Sequence, residues 1–352
     1  MGAQLMLEHG GRLHQAAIDY GIPLADWLDL SAAINPAPWP APPLPATIWQ
    51  RLPDNDDAVH AAAAGYYGCD QLLAIAGSQS AIGWLPQLRP RSRVIVFEPG
   101  YMEHAASWQS AGHAVSAHSV AQRQALLEQI ADGGRPAPDV VIVINPHNPT
   151  GDVVAPDLLL RLHARLAERG GWLVIDEAFA DGGAAPSCIP RGLQQEMPAG
   201  LIVLRSLGKF FGLPGLRSGF AFAAPELLQH LRDRAGPWPL TTAAQYLLPL
   251  ALADRHWQSA AVTELGAASA RLRQQLQALK KPLLTGTPLF QAIRCTDALE
   301  AGALQQTLAT QGILVRHYAS SDLLRLGLPS QEADWLRLTA AIAEISRPLS
   351  RP

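Results

Sequence analysis

The chain has 352 residues, 48% of them hydrophobic and 16% charged, with a formal net charge of −3. That apolar content supports a large core and more than one domain, and it excludes a disordered chain. The slight negative charge gives no electrostatic reason to expect nucleic acid. Cys69, Cys188 and Cys295 are too scattered for a metal cluster or a disulfide framework, which fits a reducing cytoplasm.

The opening stretch, MGAQLMLEHGGRLHQAA, lacks the basic segment and long apolar core of a secretory signal. Gly2 is present, but no serine or threonine stands where a myristoylation signal requires one. Charges or prolines interrupt every long apolar run, so no membrane span is expected. Residues 35–47, NPAPWPAPPLPAT, hold too many prolines for a regular helix or a central strand and read as a connecting arm.

Four short apolar runs rich in β-branched residues follow: RVIVFEP (93–99), VVIVINP (140–146), GWLVIDEA (171–178) and LIVLRS (201–206). Continuous apolar runs suit strands buried on both faces, as in a parallel sheet. Between the second and third, APDLLLRLHARLAERG carries leucines at helical spacing, with Gly170 as its stop, which completes a βαβ unit. From about Pro225 the pattern changes. Residues 258–280 read as a long helix. Strands are predicted at 289–295, 312–316 and 323–328, with helices near 301–311 and 331–345, a small α+β domain. The predicted organisation is an arm over 1–48, a large domain over 49–255, and a linking helix with a small domain over 256–352.

Ligands of open α/β sheets gather beyond the carboxyl ends of the strands. Asn145-Pro146-His147-Asn148-Pro149-Thr150-Gly151 follows the second run. Asp176-Glu177-Ala178-Phe179 ends the third, and Ser206-Leu207-Gly208-Lys209 the fourth. If the strands are parallel neighbours, an amide, a carboxylate and an amine meet on one rim. Pyridoxal phosphate needs these groups: an amine to bond its aldehyde, a carboxylate to keep its pyridine nitrogen protonated, and an amide donor for its ring oxygen. Its phosphate needs backbone N–H groups, hydroxyls and an arginine, which Gly77-Ser78-Gln79-Ser80, Ser206 and Arg217 can supply. Each residue also has a plainer reading. Lys209 can be a solvated turn lysine, Asp176 or Ser78 a helix N-cap, and Asn148 a turn former. Arg217 can be a surface ion pair, Tyr101 core packing and Arg325 a strand-edge cap.

NPHNPTG, DEAF, SLGKFFGLPGLRSGF and LRLG occur in this order over most of the chain, which resembles the class I/II aminotransferase family of fold-type I pyridoxal-phosphate enzymes. The resemblance implies an α/β fold: a mostly parallel central sheet sandwiched by helices, with a smaller α+β domain from the C-terminal part plus the N-terminal arm. It implies a homodimer with active sites at its interface. It places Lys209 on the cofactor aldehyde, Asp176 on the ring nitrogen, Asn148 on the ring oxygen and Tyr101 over the ring. Gly77, Ser78, Gln79, Ser206 and Arg217 fall at the cofactor phosphate, and Arg325 on the substrate carboxylate. No metal is implied.

The N-terminal stretch from Leu7 to Pro38, with His9-Gly10-Gly11 and LDLSAAINP, is similar to the opening of that family's threonine-phosphate decarboxylase subgroup. This implies conversion of L-threonine O-3-phosphate to (R)-1-amino-2-propanol O-2-phosphate and carbon dioxide in cobalamin synthesis, with His9, Gly10, Asn35 and Arg316 around a phosphorylated amino-acid substrate. His317 is a further candidate. Two positions depart from many relatives: Leu52 in RLPD and Phe179 in DEAF stand where tyrosine is common. The same residue kit serves an aminotransferase such as one for histidinol phosphate. A non-catalytic ligand-binding protein of this fold is the alternative of another class.

Overall fold

In the computed structural model of the chain, residues 9–54, 56–190, 192, 195–318 and 321–346 are described. The signal-peptide and myristoylation readings fall largely on residues 1–8, outside that set. The chain folds as two compact units. The larger holds Pro38–Asn148 and Val153–Ala260, and the smaller Met1–Ala37, Pro149–Asp152 and Ala261–Pro352. The first boundary lies ahead of residue 48 because Trp39, inside the proline-rich segment, is anchored in the larger unit. Its backbone N–H donates to the Phe211 carbonyl at 2.9 Å and its indole N–H to Asp254 Oδ2 at 3.0 Å.

The smaller unit opens with the helix Leu13–Tyr20 and a two-residue strand, β1 (Leu28–Asp29). The larger unit is built on seven strands: β2 (Leu72–Ile75), β3 (Arg93–Glu98), β4 (Ala114–Ser119), β5 (Val140–Ile144), β6 (Trp172–Asp176), β7 (Leu201–Ser206) and β8 (Gly219–Phe222). Their order is β2-β8-β7-β6-β5-β3-β4. Every pairing is parallel except the two made by β8, so six strands point one way. The apolar runs explain this placement. VVIVI of β5 is buried throughout, as a central strand covered on both faces requires. The helix Pro156–Ala167 buries Leu158, Leu159, Leu162 and Leu166, each contributing roughly 2 kcal/mol of apolar burial. β4 lies at the sheet edge with a largely exposed, polar-interrupted sequence, AVSAHS. Its weak apolar signal is why the sequence does not announce it.

In the smaller unit, β9 (Phe290–Arg294), β11 (Arg316–His317) and β12 (Leu323–Gly327) form an antiparallel sheet with β12 in the middle, while β1 pairs in parallel with β10 (Ile313–Leu314). The helices Ala298–Thr310 and Glu332–Ile345 are fixed at their starts by side chains. Asp297 accepts from Glu300 N at 2.9 Å, and Gln331 and Asp334 form a reciprocal capping box. Among the described residues no helix is long and apolar enough to cross a membrane.

Candidate active site

Because β2, β3, β5, β6 and β7 run parallel, the residues that follow them share one rim of the larger unit. Gly77 and Ser78 follow β2, Tyr101 follows β3, Asn148 follows β5, Asp176 closes β6, and Lys209 sits in the one-turn helix Leu207–Phe210 after β7. The register keeps the neighbouring ends level: Ile144 pairs with Asp176, and Asp176 with Leu204. The loop after β5 is closed by Asn145, which is fully buried. Its side chain donates to the Val154 carbonyl at 3.1 Å and accepts from Val154 N at 2.8 Å. His147 within the same loop is buried, and its pKa falls to about 3, first through burial and then through Arg123, so it is neutral.

Asp176 is 4% exposed. Its Oδ1 accepts from Ala178 N at 3.0 Å, and its Oδ2 lies 2.9 Å from His104 Nε2. An ionised carboxylate only accepts, so the histidine is the donor. His104 is missed by the sequence reading. The signal available was its position in EPGYMEH, three residues after Tyr101 and therefore about one helical turn on. The Lys209 amine lies 5.5 Å from the centroid of the buried Phe179 ring, so a ring without a hydroxyl packs beneath the amine. Tyr101 is half-buried and its hydroxyl donates to Gln79 Oε1 at 2.8 Å, which turns that Gln79 oxygen toward Tyr101. The Gln79 amide donates to Glu103 Oε2 at 3.1 Å.

A cradle forms where β2 ends and β8 begins, beside Arg217. Gly77 has φ 77, and a Cβ there would come within 2.9 Å of Arg217 Nη2, so glycine alone permits this approach. Arg217 itself holds a left-handed backbone at φ 50 after the turn Pro214–Leu216. For a non-glycine residue that costs on the order of 1 kcal/mol, strain of a kind that gathers at ligand clamps. Ser78 N lies against Gly219, and the buried Ser218 Oγ between Arg217 and Gly219 has no hydrogen-bond partner among the described residues. Ser206 begins the Lys209 helix at the same end of the sheet. These are anion-binding groups.

The smaller unit carries a second group of site residues. Arg325 is 5% exposed, donates through Nη2 to the Ser31 carbonyl, and lies 5.4 Å over the Phe290 ring. Its pKa is lowered, chiefly by burial. Arg316 stands directly opposite it across the β11–β12 pair. His9, Ser31, Arg316 and His317 line a cavity of about 290 Å³ together with Arg12 and Asp19. Gly10 has a packing reason: a Cβ there would meet the Ser31 carbonyl oxygen at 2.3 Å. Gly11 N donates to Ser31 Oγ at 2.7 Å, and Ser31 Oγ donates to Asp29 Oδ1 at 2.6 Å, so the glycine pair is tied to the arm. Asn35 is buried, and its Oδ1 accepts from Ala37 N at 2.9 Å. Among the described residues no group of histidine, cysteine, aspartate and glutamate is arranged to hold a metal ion.

Fold and rim together define a fold-type I α/β protein with a lysine, a carboxylate and an anion cradle at the ends of its parallel strands. The sequence model of the family "Aminotransferase class I and II" matches residues 49–346, and the chain belongs to that family. It is 46% identical to a threonine-phosphate decarboxylase of Pseudomonas aeruginosa over 97% of this chain and 99% of that protein. It is 38% identical to a threonine-phosphate decarboxylase of Sinorhizobium over 96% and 98%. Among solved structures, histidinol-phosphate aminotransferase from Sinorhizobium meliloti superposes with a TM-score of 0.78, covering 99% of this chain and 100% of that one at 21% identity, which shows the shared fold.

Proposed function

We propose that this chain decarboxylates L-threonine O-3-phosphate with pyridoxal phosphate, releasing carbon dioxide and (R)-1-amino-2-propanol O-2-phosphate. The observation that carries the reading is 46% identity to a threonine-phosphate decarboxylase over almost the whole of both chains. The residues present fit the cofactor. Gly77 leaves open the space beside Arg217 that a Cβ would occupy, Ser218 Oγ still needs a partner, and both lie in one unit with Lys209 and Asp176.

When bound, the cofactor supplies a sink for the electron pair left at Cα by the departing carboxylate. Lys209 would hold the cofactor through its aldehyde, and its side chain, as the ammonium, would give a proton to Cα. One proton thus replaces one carbon dioxide, and the charges balance. Asp176 holds a proton on the ring nitrogen, and the bonds from His104 and Ala178 fix its carboxylate for that task. Arg217, Ser206 and the backbone of Gly77, Ser78 and Gln79 hold the cofactor phosphate. Tyr101 would cover the ring and Asn148 would donate to its oxygen. Phe179 has no donor to add there.

Arg325 takes the substrate carboxylate, while His9 and Arg316 take its phosphate, with Gly10 and Asn35 shaping the arm. Opposed guanidinium groups on neighbouring strands repel. A substrate with both a carboxylate and a phosphate offsets that repulsion, and an unphosphorylated amino acid offsets less of it. Turnover of threonine phosphate against threonine tests the reading. A strong preference for the phosphate ester supports it, and equal rates contradict it.

The active form proposed is a homodimer. Trp49, Leu52, Tyr246 and Leu250 are exposed apolar residues of the larger unit. Tyr246 and Leu250 follow Thr242 at helical spacing, and Thr242 Oγ1 donates to the Arg51 carbonyl at 3.0 Å, which sets the 49–52 segment beside that stripe. An apolar face of this kind fits a second copy of the chain. The reducing cytoplasm is proposed as its location, supported by three buried free thiols.

A further inference from the structure

Asp176 and Glu177 are consecutive, and at the end of β6 they serve opposite sides. Asp176 meets His104, whereas Glu177 meets Arg205 with Nη2 to Oε2 at 2.6 Å. Arg205 lies on β7, one residue before Ser206 and four before Lys209. Its Nη1 donates to Asp181 Oδ1 at 3.0 Å. All three charged groups are buried, Glu177 completely. Glu177 accepts further bonds from Ser187 Oγ at 2.6 Å and Cys188 N at 3.0 Å. The Tyr67 ring covers the guanidinium at 5.2 Å, and the Tyr67 hydroxyl faces Asp181 Oδ2 at 3.4 Å. A buried ion cluster is weak evidence for stability, because apolar residues of similar volume often serve as well. Its position gives it another use. The segment it ties down passes Phe179 beneath the Lys209 amine, and its Gly182 packs against Phe210, so closely that a Cβ there would come within 2.5 Å of Phe210 Cε2.

We infer that Glu177, Arg205 and Asp181 are positioning residues for the reaction: one guanidinium fork, gripped by two carboxylates, fixes Asp176 and the Lys209 turn relative to each other. A single ammonium cannot reproduce the fork that bridges both carboxylates. A displacement of about 1 Å in such a site can lower a rate roughly 100-fold.

The inference rests on Lys209 carrying the cofactor and not on the substrate, so it is tested with no amino acid present. The experiment mixes the apoprotein with pyridoxal phosphate and follows how fast borohydride-stable label accumulates on Lys209, alongside equilibrium cofactor binding and thermal unfolding. Arg205→Lys keeps the charge and loses the fork. Asp181→Ala removes the surplus buried carboxylate and leaves Glu177 and Arg205 as a neutral pair, so it is expected to fold even where Arg205→Lys does not. Both are expected to label roughly 10- to 100-fold more slowly while still binding cofactor at the cradle. Asp181→Asn, which keeps an acceptor for Nη1, is expected to label faster than Asp181→Ala. If either Asp181→Ala or a folded Arg205→Lys labels at the wild-type rate, the cluster only holds the fold and the inference is overturned. If no variant or wild-type protein labels at Lys209 at all, the assignment of the lysine fails instead.

Discussion

His104 Nε2 lies 2.9 Å from Asp176 Oδ2, with both side chains almost fully buried. The bond fixes the carboxylate that is proposed to keep the cofactor nitrogen protonated, so the histidine acts through the aspartate. A hydrogen bond to a charged group contributes roughly 1.5–3 kcal/mol. His104→Phe is therefore expected to lower kcat about 10- to 100-fold with little change in KM, and Asp176→Ala to abolish most turnover. Steady-state kinetics with cofactor occupancy measured separately checks this. Loss confined to KM would place His104 outside the chemistry.

Arg316 and Arg325 face one another across adjacent strands, and the substrate proposed for them carries two anionic groups. His9→Ala and Arg316→Ala are each expected to raise KM for threonine phosphate by about 10- to 100-fold while leaving the cofactor absorbance unchanged. Arg325→Ala should lower kcat as well, since the carboxylate then loses its fixed orientation. Kinetics with threonine and threonine phosphate side by side distinguishes these roles.

Burial raises the Asp181 carboxyl from 3.8 to about 6, with the charge of Glu177 adding to the rise against the opposing pull of Arg205. An acid whose folded pKa exceeds its unfolded value holds its proton more tightly when folded. Its contribution to stability is greatest at low pH, falls between about 4 and 6, and is level above that. Tyr66 and Tyr67, which also face this carboxyl, have raised pKa values and stay neutral throughout. Asp181→Asn is expected to remove the decline, shrinking the difference in unfolding free energy between pH 4 and 7 by roughly 2–3 kcal/mol. Chemical denaturation of the apoprotein at several pH values measures it. An unchanged slope would mean Asp181 is ionised across the range.

The stripe formed by Tyr246 and Leu250 beside Trp49 and Leu52 is proposed to meet a second copy of the chain. Tyr246→Asp with Leu250→Asp is expected to convert the dimer to a monomer in light scattering and to reduce activity. A wild-type monomer would remove the proposal.

The rim was legible in the sequence because strand ends leave their marks in polar and turn residues. NPHNPTG, DEAF and SLGK follow apolar runs that are buried on both faces, which is the pattern of neighbouring parallel strands. The partners of those residues were not legible. His104 and Arg205 lie in stretches the sequence did mark, but their meaning depends on a carboxylate 72 residues away in one case and on opposite-facing neighbours at strand ends in the other. The edge strand β4 was missed because it buries little. The unit boundary was displaced because Trp39 anchors to the larger unit a proline-rich stretch that local composition alone reads as a connecting arm.

The most direct measurement is the fate of the substrate carboxylate. Purified protein with pyridoxal phosphate and carboxyl-labelled L-threonine O-3-phosphate, with no oxo acid added, is expected to release labelled carbon dioxide and 1-amino-2-propanol phosphate in equal amounts over many turnovers, and the Lys209→Ala variant to release neither. Retention of the label, with amino transfer that starts only when an oxo acid is supplied, would contradict the decarboxylase and leave an aminotransferase in its place.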